Sequence, residues 1–156
     1  LHLLSRRQRQ MCKETVGEVS EEAKKLIQVT KECFFEGIKY AKAGNHLFDI
    51  SGAIGRYAEE RGYGVVRDLC GHGIGTALHE APEIPNYEVG RKGVKLRPGM
   101  TLAIEPMINI GTHEVDWLDD DWTVVTRDGS LSAHYENTIL ITEGEPRILS
   151  LTCENE

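Results

Sequence analysis

Gly71-His72-Gly73-Ile74-Gly75, followed by His79-Glu80-Ala81-Pro82, is the stretch on which the reading of this chain turns. It places two histidines seven residues apart, and two glutamates follow in apolar surroundings, at Ile104-Glu105-Pro106 and Tyr135-Glu136-Asn137. One imidazole and two carboxylates form a donor set for a hard-to-borderline divalent cation, with a second histidine left over as a catalytic helper. That combination points to metal-assisted hydrolysis. The glycines around His72 predict a turn just after a strand, with room for a ligand. Alone, Gly-His-Gly reads more readily as a plain turn than as a functional motif, and His79 alone more readily as structural. Glu105 is more telling, because a carboxylate closing an apolar strand must be paired, protonated or metal-bound to offset its desolvation. Glu136 repeats that situation within Tyr135-Glu136-Asn137-Thr138-Ile139.

Outward from this stretch, the N-terminal side is helical. Ser20 is an N-cap with Glu21 and Glu22 in the first turn, where they suit the helix dipole. Ala23, Leu26, Ile27, Thr30, Cys33, Phe34, Gly37, Ile38 and Ala41 then recur at helical spacing until Gly44. A second helix is expected from Asp49 as N-cap, burying Ile50, Ala53, Ile54, Tyr57 and Ala58 before Gly62. Beyond it the period changes to that of strands, over 64–67, 100–104, 122–126, 134–142 and 146–149. Two helices followed by strands without βαβ alternation predict an α+β fold with a mainly antiparallel sheet.

The bulk numbers narrow the class of function. The 156 residues are of single-domain size and carry a net charge of −7, which argues against a nucleic-acid or membrane-surface partner. No apolar run approaches the roughly 18 residues that span a bilayer. Cys12, Cys33, Cys70 and Cys153 lack Cys-x-x-Cys spacing, so reduced thiols and a cytoplasmic setting are expected. Residues 1–15, with Arg6, Arg7, Arg9 and Lys13 ahead of the first acidic residue Glu14, are read as a tail foreign to the rest in preference to a transit peptide. Residues 16–150 are the expected catalytic domain and 151–156 a second tail. Asp119, Asp120 and Asp121 read as a solvated turn, since they lack the glycine and closing glutamate of a calcium loop. His2, His46 and His113 are expected at the surface, and Met100 and Met107 in the core. His134 shares a strand face with Glu136 by the period of two and is a candidate to line the site. Cys70 reads as a thiol with no base to activate it.

Together these stretches resemble the C-terminal half of a type I methionine aminopeptidase, a metalloenzyme of the pita-bread fold. The resemblance rests on Cys70 to Gly75, His79 to Pro82 with Asn86-Tyr87, Leu96-Arg-Pro-Gly-Met100, Ile104-Glu-Pro-Met-Ile-Asn109, Trp122 to Thr126 and Ser132-Ala-His-Tyr-Glu136. It implies that His72, Glu105 and Glu136 are metal ligands. It further implies that Glu105 handles the proton of the attacking water, and that His79 contacts the substrate amide and steadies the tetrahedral intermediate. Trp122 and Leu78, with Cys70, would belong to the substrate pocket, Leu78 standing where the family often has Phe. The implied reaction is removal of Met from the N-terminus of a peptide or nascent protein, with the ribosome as an expected partner. The implied cofactor is manganese, iron, cobalt or zinc.

The family binds two ions with the help of two Asp ligands from its N-terminal half, and no Asp precedes Asp49 here. Two dications against two carboxylates leave an excess of two positive charges, so at most one tightly held ion is expected. The chain reads as a truncated, impaired enzyme with a sheet edge open to self-association. The alternatives are a non-catalytic pita-bread-type binding domain and a fragment of an X-Pro peptidase.

Overall fold

The computed structural model describes residues 18–151; the expected tail at 1–15 and, beyond Leu151, the rest of the tail expected at 151–156, with His2, Cys12 and Cys153, lie outside the described residues. Ser20 caps helix α1 (Glu21–Ile38) by accepting a hydrogen bond from the Ala23 N–H at 3.2 Å. The helix buries Leu26, Val29, Thr30, Cys33, Phe34 and Ile38. Ile27, expected on that stripe, is exposed, and Val29 takes the inward position. The helix stops at Ile38, and Gly44 at φ +94° belongs to the following turn, where its N–H donates to the Leu96 carbonyl.

Helix α2 spans Leu47–Glu59, with His46 at the cap. Asp49 is not the N-cap: it stands one turn in, and its carboxylate accepts the His46 N–H at 2.8 Å. That reach back from the third helical residue is the acidic half of a capping box, which moves the helix start upstream. Half-buried His46 is therefore part of a helix start and not a free surface residue.

The strands are β1 (Gly64–Val65), β2 (Gly71–Gly73), β3 (Glu80–Ile84), β4 (Thr101–Ile104), β5 (Met107–Asn109), β6 (Val115–Trp117), β7 (Val124–Thr126), β8 (Ser132–His134), β9 (Asn137–Leu140) and β10 (Arg147–Ile148). They form a five-stranded sheet in the order β10-β9-β4-β2-β3, a three-stranded sheet β1-β5-β8 and a ribbon β6-β7, every pairing antiparallel. The α+β expectation matches this architecture. The single strand expected over 134–142 is two, β8 and β9, in different sheets, and the chain crosses between them at Tyr135-Glu136. The helices pack beneath the three-stranded sheet and this crossing. The Phe34 ring meets Tyr135 at 5.4 Å and Phe35 at 5.2 Å, both edge-on, an arrangement that adds to simple burial. Leu47, Ile50, Ile54, Ile84, Leu102, Ile104, Ile108 and Ile139 complete the core. No helix among the described residues is long and apolar enough to cross a membrane.

Candidate metal centre

His72 lies on β2, an interior strand of the five-stranded sheet between β4 and β3, and not in the turn its glycines predict. The glycines serve close packing. A Cβ at Gly71 would strike the Ala103 carbonyl oxygen, and one at Gly73 the Ala81 carbonyl oxygen. Only glycine lets three backbones approach this closely around one histidine.

Sheet register then assembles the carboxylates. His72 is opposite Ala103 on β4, and Ile104 is opposite Asn137 on β9. One step beyond the Ile104–Asn137 pair, Glu105 and Glu136 face each other at the same end of the sheet. One ligand atom from each of His72, Glu105 and Glu136 lies within 4.8 Å of the other two, and all three residues are half-buried. Opposed donors on one small cation stand about 4.2 Å apart, so slight side-chain contraction closes the set on an ion.

The electrostatics fit a cation as well. Burial pushes the Glu136 carboxyl above its ordinary pKa, and the neighbouring Glu105 charge adds to the rise against the opposing pull of His134, His72 and His79. A positive ion between the carboxylates removes that penalty. The His72 Nδ1 stands 2.8 Å from the Gly73 carbonyl oxygen, a contact that requires a proton on Nδ1. Nε2 is thereby turned toward Glu105, 3.4 Å from its Oε1. A neutral ring in this tautomer offers a lone pair to a cation, the arrangement common to metal-binding histidines.

His79 stands just before β3 with its ring 4.3 Å from that of His72, edge to face, and is exposed toward the cavity. His134 closes β8 with Nε2 3.3 Å from the second Glu105 oxygen. It reaches the site from the three-stranded sheet and not by sharing a strand with Glu136, since the strand ends at His134. Buried Asn86 donates its side-chain N–H to the Glu105 backbone carbonyl at 3.1 Å. Glu105 is thus held at its backbone and approached at both carboxylate oxygens.

These groups open into a cavity of about 910 Å³ whose wall includes Cys70, His72, His79, Glu83, Glu105, Met107, Trp117, Trp122, Val124 and His134. Met107 corrects an expectation: it faces the cavity and not the core, while Met100 packs partly buried against the core. Trp122 is 83% exposed and lies in the turn before β7, not within a strand. Leu78 is exposed and is not among the cavity's lining residues. Burial, followed by the Glu83 charge, raises the Cys70 pKa, which keeps the thiol protonated and matches its reading as a non-nucleophile. Asp120 accepts hydrogen bonds from the Trp122 and Thr123 N–H groups, which makes the aspartate run a capped turn. Trp117 escaped the sequence reading, and Val124 entered it only as part of the strand expected over 122–126. The alternation of Val115-Asp116-Trp117 is too short to announce a strand, although a tryptophan among acidic residues is itself a signal.

A second cavity, of about 340 Å³, lies among Tyr40, Phe48, Asp49, Arg56, Glu88, Arg91 and Lys92. Its acidic groups are engaged, Glu88 with Arg56 at 2.8 Å and Asp49 with the His46 N–H.

The model of metallopeptidase family M24 matches residues 10–143. Methionine aminopeptidase of Clostridium acetobutylicum is 59% identical over 139 residues, which cover 89% of this chain and 55% of that protein. Methionine aminopeptidase 1 of Bacillus subtilis is 52% identical over 128 residues, 82% of this chain and 52% of that protein. Among solved structures, the methionine aminopeptidase of Thermotoga maritima superposes with a TM-score of 0.84 at 50% identity, covering 88% of this chain and 55% of that one. The X-Pro aminopeptidase of the same organism shares the fold, with a TM-score of 0.65 at 24% identity over 88% of this chain and 34% of its own. The architecture is the pita-bread fold, and the chain spans about half the length of the curated relatives it matches.

Proposed function

The chain belongs to metallopeptidase family M24, and from that premise we propose that residues 16–150 carry the catalytic half-site of an aminopeptidase that removes methionine from the N-terminus of peptides and new proteins. The observation that carries this reading is the convergence of His72, Glu105 and Glu136 within 4.8 Å, beside His79 and at the wall of a cavity large enough for a peptide end. Identities of 50% and above with proteins named methionine aminopeptidase, against 24% with the X-Pro aminopeptidase, favour methionine over an X-Pro bond.

His72, Glu105 and Glu136 hold the metal in this reading. A divalent cation bound there, whether manganese, iron, cobalt or zinc, supplies Lewis acidity that polarises the scissile carbonyl and makes water nucleophilic near neutral pH. Glu105 accepts the proton of the attacking water and passes it to the departing amine, and it is fixed for that task by the Asn86 amide on its backbone. His79, exposed to the cavity, donates a hydrogen bond where negative charge develops on the substrate amide. Trp122 offers an apolar wall for the methionine side chain, and Cys70 lies in the same wall as a neutral group. Two carboxylates neutralise one dication, so these residues by themselves hold one ion tightly. The free thiols of Cys33 and Cys70 are consistent with a cytoplasmic setting, and delivery of a nascent N-terminus makes the ribosome a natural partner.

The test is release of methionine from Met-Ala-Ser, with added manganese or cobalt. It is run on the 156-residue chain alone, and on the chain mixed with the segment of the Clostridium acetobutylicum relative that it does not match. The expected result is metal-dependent release in the mixture, several powers of ten above the chain alone, each power of ten being about 1.4 kcal/mol of barrier. Glu105→Gln abolishes it without preventing association. Release indifferent to metal, to Glu105→Gln and to His79→Ala contradicts the reading.

A further inference from the structure

The chain has two tryptophans, Trp117 and Trp122, and both line the catalytic cavity. They belong to the β6-β7 ribbon and its connecting turn, where Trp117 pairs with Val124, itself on the cavity wall. Trp117 is 54% exposed and Trp122 83% exposed, and Met107 and Val124 share the cavity wall with them. An exposed apolar patch of this kind, rimmed by charges, marks a place where something binds. Indole is well suited to such a place, since it buries a large apolar face on contact.

Continuity with the cavity identifies the occupant. The patch runs into the same wall as His72, His79 and Glu105, so a peptide whose scissile bond reaches Glu105 has the ribbon beside it. Asp119, Asp120 and Asp121 lie between the two indoles and disfavour acidic residues there. We propose that Trp117 is a specificity-determining residue, whose indole takes an apolar or aromatic side chain of the peptide beyond the scissile bond. This inference rests on the aminopeptidase reading for the placement of the peptide.

The pair of tryptophans makes the test direct. Trp122→Phe leaves Trp117 as the only indole fluorophore, and Trp117→Phe leaves Trp122. Each is titrated with free methionine, and with Met-Ala-Ser and Met-Ala-Phe amides whose first peptide bond is reduced to a methyleneamine so that it cannot be cleaved. The expected result is that Trp117 emission shifts with the Phe peptide, at about tenfold lower Kd than with the Ser peptide. Free methionine leaves Trp117 emission unchanged, and Trp117→Ala removes the preference for Phe. Trp117 emission unmoved by peptide that shifts Trp122, or a Phe preference that survives Trp117→Ala, overturns the inference. Emission that follows protein concentration and ignores peptide puts a second copy of the chain on the ribbon and also overturns it. A Phe-dependent shift in a chain that shows no metal-dependent hydrolysis in the mixture supports the peptide contact while defeating the aminopeptidase reading, so the two failures are distinct.

Discussion

The five-stranded sheet and the β6-β7 ribbon border the same cavity with opposite construction. In the sheet, Leu102, Ala103, Ile104 and Ile139 are buried to 1% exposure or less, and adjacent strands bring Glu105 and Glu136 into register. In the ribbon only Val115 is buried, and polar anchors replace the core. Arg127 pairs with Glu114 at 2.7 Å and Asp116 at 2.9 Å. At the ribbon's base, Asp128 accepts hydrogen bonds from the Thr112 N–H at 2.7 Å and the Ser130 N–H at 2.9 Å. Metal ligands need positions held to a fraction of an ångström, which a packed sheet provides. The peptide contact proposed for the ribbon tolerates looser support than a metal ligand does.

The comparison breaks first in the sheet. Ile104→Ala, one residue before Glu105, is expected to cost about 2–5 kcal/mol of stability as a fully buried truncation. Val125→Ala on the ribbon is expected to stay within about 0.5 kcal/mol. Denaturant unfolding of the two variants measures both, and equal costs would erase the distinction. Gly73→Ala is next. Its new methyl meets backbone of Ala81 that cannot rotate away, so a loss of about 1–3 kcal/mol is expected, with metal affinity falling in parallel because His72 is displaced.

The smallest effect sharpens the comparison on the ribbon. Hydrogen bonds from Ser130 and Thr112 hold the Asp128 carboxyl at about 2, below its ordinary value. A depressed folded pKa stabilises above the unfolded pKa of about 3.9, and that contribution is lost as pH falls toward 2. Hydrogen exchange at Thr112 and Ser130 is expected to quicken relative to the sheet over this window, and Asp128→Asn to remove the pH dependence. Equal acid sensitivity in sheet and ribbon would count against polar anchoring.

The parts legible in the sequence were those with local signals. Ser20 capped its helix as read, and the fold class followed from the change of period. The four residues that resemblance to the family assigned to the chemistry, His72, His79, Glu105 and Glu136, come together in space. Non-local physics hid the rest. Glycine and proline argue against strands, yet β2 is built on Gly71 and Gly73, and β3 carries Pro82 on the sheet's edge, where a missing N–H costs nothing. Asp49 suits either the cap or the third position of a helix, and only the position of His46 decides between them. The break at Tyr135-Glu136 is set by two sheets competing for one segment, which no window of sequence contains. Met107 is apolar and looks like core until the cavity beside it is known.

The central claim is that His72, Glu105 and Glu136 together hold one divalent cation, and calorimetric titration of the 156-residue chain with manganese or cobalt tests it most directly. The account predicts one tight site per chain, with Glu136→Gln weakening it by at least about a hundredfold while circular dichroism stays unchanged. Two tight ions per chain, or an affinity that Glu136→Gln leaves intact, would contradict it.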